Sequence, residues 1–153
     1  MFKISRRLDY GIQLMIALAS ETENKPIPSA RLAENLQIPL PFLHQIGHML
    51  MQAGLIKASP GPRGGLRLNQ PAENISVLRI VETLEGNICM NDCLECGHSC
   101  PRQDSCTARP VWGRLQENIS DYMANIPLSS LVRHPVELPL YTLQMPKSSV
   151  KLN

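Results

Sequence analysis

All five cysteines of the chain lie between Cys89 and Cys106, spaced Cys89-x3-Cys93-x2-Cys96-x3-Cys100-x5-Cys106, with His98 inside the run. Thiolate sulphur is a soft donor, suited to zinc, copper(I) and iron–sulphur clusters. Asn91, Gly97, Pro101 and Asp104 interrupt the segment, so it reads as a loop. A loop of thiols builds no core of its own, and a metal centre is the chemistry that would tie it down. A disulphide staple or a reduced, thiol-rich loop is the alternative, though an odd number of cysteines suits a disulphide framework poorly. Cys93-x2-Cys96 and Cys96-x3-Cys100 fall within zinc-like spacing, but zinc motifs usually set two close pairs further apart. Cys93-x2-Cys96 as a thiol oxidoreductase would need a βαβ setting that the pattern lacks, so no enzyme is expected.

The elements around this loop are mostly helical. Leu8, Ile12, Met15, Ile16 and Ala19 repeat at three to four residues and predict a helix over 5–20. Residues 21–28 are polar, with two prolines, and read as a connection. Ser29 is a candidate N-cap for a short helix over 30–35, with Leu32, Ala33 and Leu36 inward. Pro41 suits the first turn of a third helix, 41–53, closed by Gly54. In that helix Leu43, Ile46 and Leu50 face one way, and His44, Gln45 and His48 the other. Two short helices joined by a tight turn form a helix-turn-helix pattern. Two short strands, 55–58 and 66–68, follow around a Pro- and Gly-rich tip carrying Arg63, with Arg67 beside it. A hairpin in this place is a wing, and its arginines suit phosphates or a minor groove. Ser76 caps a fourth helix with Val77, Ile80, Val81 and Leu84 on one face and Gly86 at its end. After the cysteines, a long last helix runs from about 107 to 125, with a stripe of Val111, Leu115, Ile119 and Tyr122. Long amphipathic helices in small domains often serve dimerisation.

The charge is uneven. Residues 1–70 hold eight basic residues (Lys3, Arg6, Arg7, Lys25, Arg31, Lys57, Arg63, Arg67) against four acids (Asp9, Glu21, Glu23, Glu34), a net +4; the remainder carries −2, giving +2 for all 153 residues. A basic N-terminal half suits a polyanion. Residues 35–56 contain no Asp, Glu, Lys or Arg at all, so phosphate contacts must come from Arg6, Arg7, Arg31, Lys57, Arg63 and Arg67. Lys3, Arg6 and Arg7 ahead of residues 12–19 mimic a secretory leader, but Asp9, Tyr10, Gly11 and Gln13 break the pattern. No run of about 20 apolar residues exists, so no membrane span is expected and the cytoplasm is the expected location. Aromatic content of 4% makes a thin core that oligomerisation would help.

Taken together, these pieces resemble the Rrf-type (IscR/NsrR-like) winged-helix transcriptional regulators over about residues 1–132. The resemblance is carried by Ile4-Ser5 through Tyr10, Phe42-Leu43-His44-Gln45-Ile46, Ala53-Gly54-Leu55-Ile56-Lys57, residues 61–68, residues 75–86, and Cys106 followed by Trp112. It implies a mainly α fold with a β-hairpin wing: a winged helix-turn-helix over 1–70, a linker helix, cysteine loop and dimerisation helix over 71–132, and a tail over 133–153. It also implies a homodimeric regulator, in the repressor sense, on double-stranded promoter DNA, read by Phe42, His44, Gln45 and His48 with the basic residues named above. Many members carry a 2Fe–2S or 4Fe–4S cluster on three cysteines and a fourth, non-cysteine ligand. Carried over, the ligands are Cys93, Cys100 and Cys106 with Asp9 of the partner's first helix, and Cys89 and Cys96 are less favoured. Zinc, or a thiol–disulphide switch without a cofactor, is the alternative. The chain departs from the pattern at Arg109, where the IscR type has a ligating His, and at Pro41, His44 and Leu66, where Ser or Thr, Glu and Tyr are usual.

Overall fold

Ser5 begins the first helix. Its extended backbone and its Oγ, which accepts the Leu8 N–H at 3.0 Å, make it the N-cap of α1 (Arg6–Ala19). In this computed structural model, residues 3–94, 100–102 and 105–133 are described. The face α1 buries is Leu8, Gly11, Leu14, Met15 and Leu18. Ile12, Ile16 and Ala19, expected inward, lie only half-buried at its edge. Gly11 sets this rotation: a methyl group there would overlap Leu84 Cδ1, so α4 sits against bare backbone.

The short helix α2 (Ser29–Leu36) starts one residue earlier than expected. Pro28 is its N-cap and Ser29 is already helical, with no side-chain cap bond, which corrects the sequence-based assignment. Proline fixes the extended φ that the position needs, so a hydroxyl is dispensable. Gln37 ends α2 in the left-handed region at φ 53°, and Ile38 folds inward before Pro39 opens α3 (Leu40–Gln52). Leu43, Ile46, Gly47 and Leu50 of α3 are buried.

Strands β1 (Ile56–Ser59) and β2 (Gly65–Leu68) form an antiparallel hairpin with Ile56 opposite Leu68 and Lys57 opposite Arg67. Leu66 and Leu68 point into the core, so Arg67 between them points out. Ile27 pairs with Leu66 through two backbone hydrogen bonds of 2.9 Å, stitching the connection before α2 to the wing. Gly65, at φ 154°, is the residue that permits this: any Cβ would strike the Ile27 carbonyl.

Helix α4 (Val77–Glu85) follows the expected pattern, with Ser76 capping through the Arg79 N–H and Val77, Ile80, Val81 and Leu84 buried. Helix α5 (Arg109–Ala124) is shorter than expected at 16 residues, about 24 Å, and none of its residues is buried. Helix α6 (Leu128–Arg133) is an addition to the expected elements. The chain returns to the core at that point, with the Ile126 carbonyl accepting from Val77 N–H at 2.9 Å and Leu128 N–H donating to Ile75 at 2.7 Å. Leu128 is fully buried. Truncating such a leucine costs about 2–5 kcal/mol, so one side chain is enough to fasten the end of α5. The expected tail lies outside the described residues except for Arg133. Among the described residues no helix is long and apolar enough to cross a membrane.

The N-terminus of α1 is latched to the C-terminus of α4. Ser5 Oγ donates to Glu85 Oε1 at 2.7 Å, and Arg7 Nε donates to the same oxygen at 3.1 Å. Burial pushes the Glu85 carboxyl up, but the bonds from Ser5 and Arg7 and the Arg7 charge outweigh it, and the group titrates below its ordinary range. A carboxylate lowered by folding stabilises above its unfolded pKa, and that contribution disappears as pH falls through the lowered one. Urea midpoints of wild type and Glu85→Gln should therefore differ at neutral pH and converge below the ordinary carboxylate range of about pH 4.3. A gap that stays constant with pH would show that the Glu85 charge contributes nothing to it.

Candidate nucleic-acid interface and cysteine loop

The outward face of α3 is set by its inward one. With Leu43, Ile46, Gly47 and Leu50 buried, Leu40, Pro41, His44, Gln45 and His48 are left exposed. At 100° per residue these five fall within an arc of about 140°. Phe42 lies off this stripe: it is half-buried, and its ring meets Tyr10 of α1 edge-on at 5.7 Å between centroids. It therefore helps hold α3 against α1.

Basic side chains flank the stripe. Gly47 lies close to the Leu66 side chain, which seats the wing beside α3. Arg63 is exposed at the wing's tip. Lys57 and Arg67 stand directly opposite each other on the outer face of the hairpin, a like-charge pair with no acid between them among the described residues. Arg67 Nε is sheltered from solvent and has no hydrogen-bond partner. A sheltered donor without an acceptor is costly, and a phosphate oxygen would relieve both the orphan and the repulsion. Arg6 and Arg31 are exposed and likewise unpaired with acids among the described residues. Arg7 differs, since Glu85 already occupies it.

The cysteine loop leaves α4 at Gly86, one residue past the latch, and ends at α5. Cys93 lies in a 3-10 turn, Asp92–Leu94, that packs against α5. Cys93, Cys100 and Cys106 are half-buried and Cys89 is exposed, with its Sγ on the Asn91 carbonyl at 3.1 Å. These four are free thiols. Met90 N–H donates to Gln116 Oε1 at 3.0 Å, a tie between the loop and α5. Cys96 and His98 lie outside the described residues. Among the described residues no three His, Cys, Asp or Glu side chains gather as a metal site. The donor type suits an iron–sulphur centre, since Cys93, Cys100 and Cys106 are half-buried, unbridged thiols on one loop, but among the described residues they do not converge. Asp9 is exposed near the start of α1, and its carboxylate has no partner among the described residues. Arg109, which stands where the IscR type has a ligating His, opens α5, and its Nε is sheltered without an acceptor, a second orphan.

On α5, the expected stripe is the outer surface. Val111 is 61% exposed, Trp112 39% and Tyr122 37%, while Leu115 and Ile119 are half-buried.

Comparison with known proteins agrees with this arrangement. Over 131 residues the chain is 28% identical to the HTH-type transcriptional regulator IscR of Vibrio campbellii, which covers 86% of this chain and 77% of that protein. The T. potens IscR structure superposes with a TM-score of 0.69 at 27% identity, over 86% of each chain. The structure of CymR, the global cysteine regulator of B. subtilis, superposes with a TM-score of 0.73 at 24% identity, over 89% of this chain and all of that one, and it supports the fold alone. Residues 4–134 match the Rrf2 family, described as iron-dependent transcriptional regulators. The chain belongs to the Rrf2 family: it is a DNA-binding transcriptional regulator with a winged-helix fold, and not an enzyme.

Proposed function

We propose that the chain is a cytoplasmic homodimeric repressor whose hold on promoter DNA is set by an iron–sulphur cluster on its cysteine loop. The observation that carries this is the difference in shelter among the described thiols: Cys93, Cys100 and Cys106 are half-buried and unbridged, and Cys89 is exposed. Residues 1–70 then form the reading half and residues 71–132 the controlling half. The three cysteines hold the cluster, with Asp9 of the partner subunit as the fourth ligand and Cys89 and Cys96 outside the set. When bound, the cluster supplies an iron site open to nitric oxide, oxygen or a change of redox state. An oxygen donor such as Asp9 is a weaker partner for that site than thiolate. The latch of Ser5 and Arg7 on Glu85 ties the start of α1 to the root of the loop, so movement of the loop is passed to the helix on which α3 rests. A second reading is a zinc site or thiol–disulphide switch on the same cysteines, four of which are free thiols.

The ligand assignment is tested by single Cys→Ala variants purified without oxygen, with bound iron and visible absorbance as readouts. Iron should fall to background at Cys93, Cys100 and Cys106 and persist at Cys89 and Cys96. A colourless wild type that carries zinc would favour the second reading. Asp9→Ala should change the spectrum's response to nitric oxide, and an identical response would remove the cross-subunit ligand.

The dimer is tested through the outer row of α5. The double variant Leu115→Asp with Ile119→Asp should sediment as a monomer and lose DNA affinity. A dimer of unchanged mass would place the interface elsewhere.

Wing contacts are tested by salt dependence. Arg63→Ala and Arg67→Ala should each weaken DNA binding and reduce the slope of log K against log salt by about one unit. Full affinity with an unchanged slope would take the wing off the DNA.

A further inference from the structure

The exposed stripe of α3 also limits which bases it can select, an argument that rests on α3 being the helix that enters the major groove. In that arrangement the N-terminal residues of the second helix meet the base edges, and here those are Leu40, Pro41, His44 and Gln45, with His48 one turn on. Guanine is selected by Arg or Lys on O6 and N7, and cytosine by Asp or Glu accepting from N4. Residues 35–56 offer none of these four side chains. A histidine donor reaches N7 of either purine or O6 of guanine, so His44 and His48 do not require adenine. Gln45 is different. Its amide offers one donor and one acceptor side by side, the complement of adenine N7 and N6. Leu40, 38% exposed at the head of the helix, is an apolar group in the place where a thymine methyl is recognised. Phe42 is held back by Tyr10 and leaves this apolar role to Leu40 and Pro41. A·T-rich sequence also narrows the minor groove and draws arginine into it, and Arg63 is exposed at the wing tip next to this face.

We propose that α3 selects A·T base pairs, with Gln45 on an adenine and Leu40 on a thymine methyl. The protein therefore takes duplex sites with A·T at the positions that Gln45 and Leu40 contact.

The test is selection from a random duplex library by the full chain, followed by sequencing of the bound pool. Wild type should enrich A·T at the positions that Gln45 and Leu40 contact. Gln45→Ala should lower the preference for adenine at one position by about 5- to 150-fold. Gln45→Glu should move that position from adenine to cytosine, because a carboxylate accepts from N4. Position 45 is exposed, and circular dichroism matching wild type confirms that each variant is folded. Enrichment of G·C by wild type, or a Gln45→Glu variant that selects the wild-type sequence, overturns the proposal. A pool that binds in a salt-dependent way with no enriched sequence overturns it too, while leaving phosphate binding by the wing intact. Absence of any DNA binding removes the role of α3 as reader, and the base preference with it.

Discussion

Helices α1 and α4 meet at Gly11, where the lack of a side chain lets Leu84 lie directly on the backbone. Much of the rest depends on that approach. It brings the last turn of α4 within reach of the first turn of α1, so that Glu85 can take hydrogen bonds from both Ser5 and Arg7. It also fixes the point at which the cysteine loop departs, one residue later at Gly86. A larger residue at position 11 would have to displace the buried Leu84 side chain that packs there. Close-packed interiors transmit such displacements instead of absorbing them.

The regulator is built from two kinds of surface. Every buried side chain in the core is apolar, with no buried polar or charged residue among those described. Such a core gives cohesion without direction. Directional contacts are confined to edges: the Ser5 and Ser76 caps, the Glu85 latch, the Met90–Gln116 bond and the Ile27–Leu66 pair. The Glu85 latch, the Met90–Gln116 bond and the Ile27–Leu66 pair join separate segments, whereas the two caps act within their own helices, and each bond is individually weak in water. Helix α5 has no buried residue and leaves Val111 and Trp112 exposed on its outer side.

Elements whose apolar residues do their own packing could be read from the sequence. Helix α4 was legible to the residue because Val77, Ile80, Val81 and Leu84 repeat cleanly and both caps use side chains or glycine. The wing was legible from its turn chemistry, with strand limits off by one. The face of α1 was misjudged because its closest contact is made by Gly11, which no hydrophobic pattern counts. Helix α6 was missed because six residues with one anchor, Leu128, carry no periodic signal. The start of α2 was misplaced because Pro28 does by geometry what Ser29 was expected to do with a hydroxyl. On the DNA side, the bare charge of α3 was legible, but the opposition of Lys57 and Arg67 needed the register of the hairpin. The orphaned guanidinium nitrogens of Arg67 and Arg109 are facts of folding and have no sequence signature.

The opposition of Lys57 and Arg67 also gives ionic strength two effects of opposite sign. In the free protein, two cations held side by side on a two-stranded ribbon repel, and added electrolyte screens them, so the unbound wing becomes more comfortable as the medium grows saltier. If the wing sits on phosphates as proposed, the same electrolyte competes for them and would loosen it there. The hairpin would then be least content by itself in the dilute solutions where it grips best, and a dilute medium would favour the complex twice over, by strengthening the bound state and by weakening the free one.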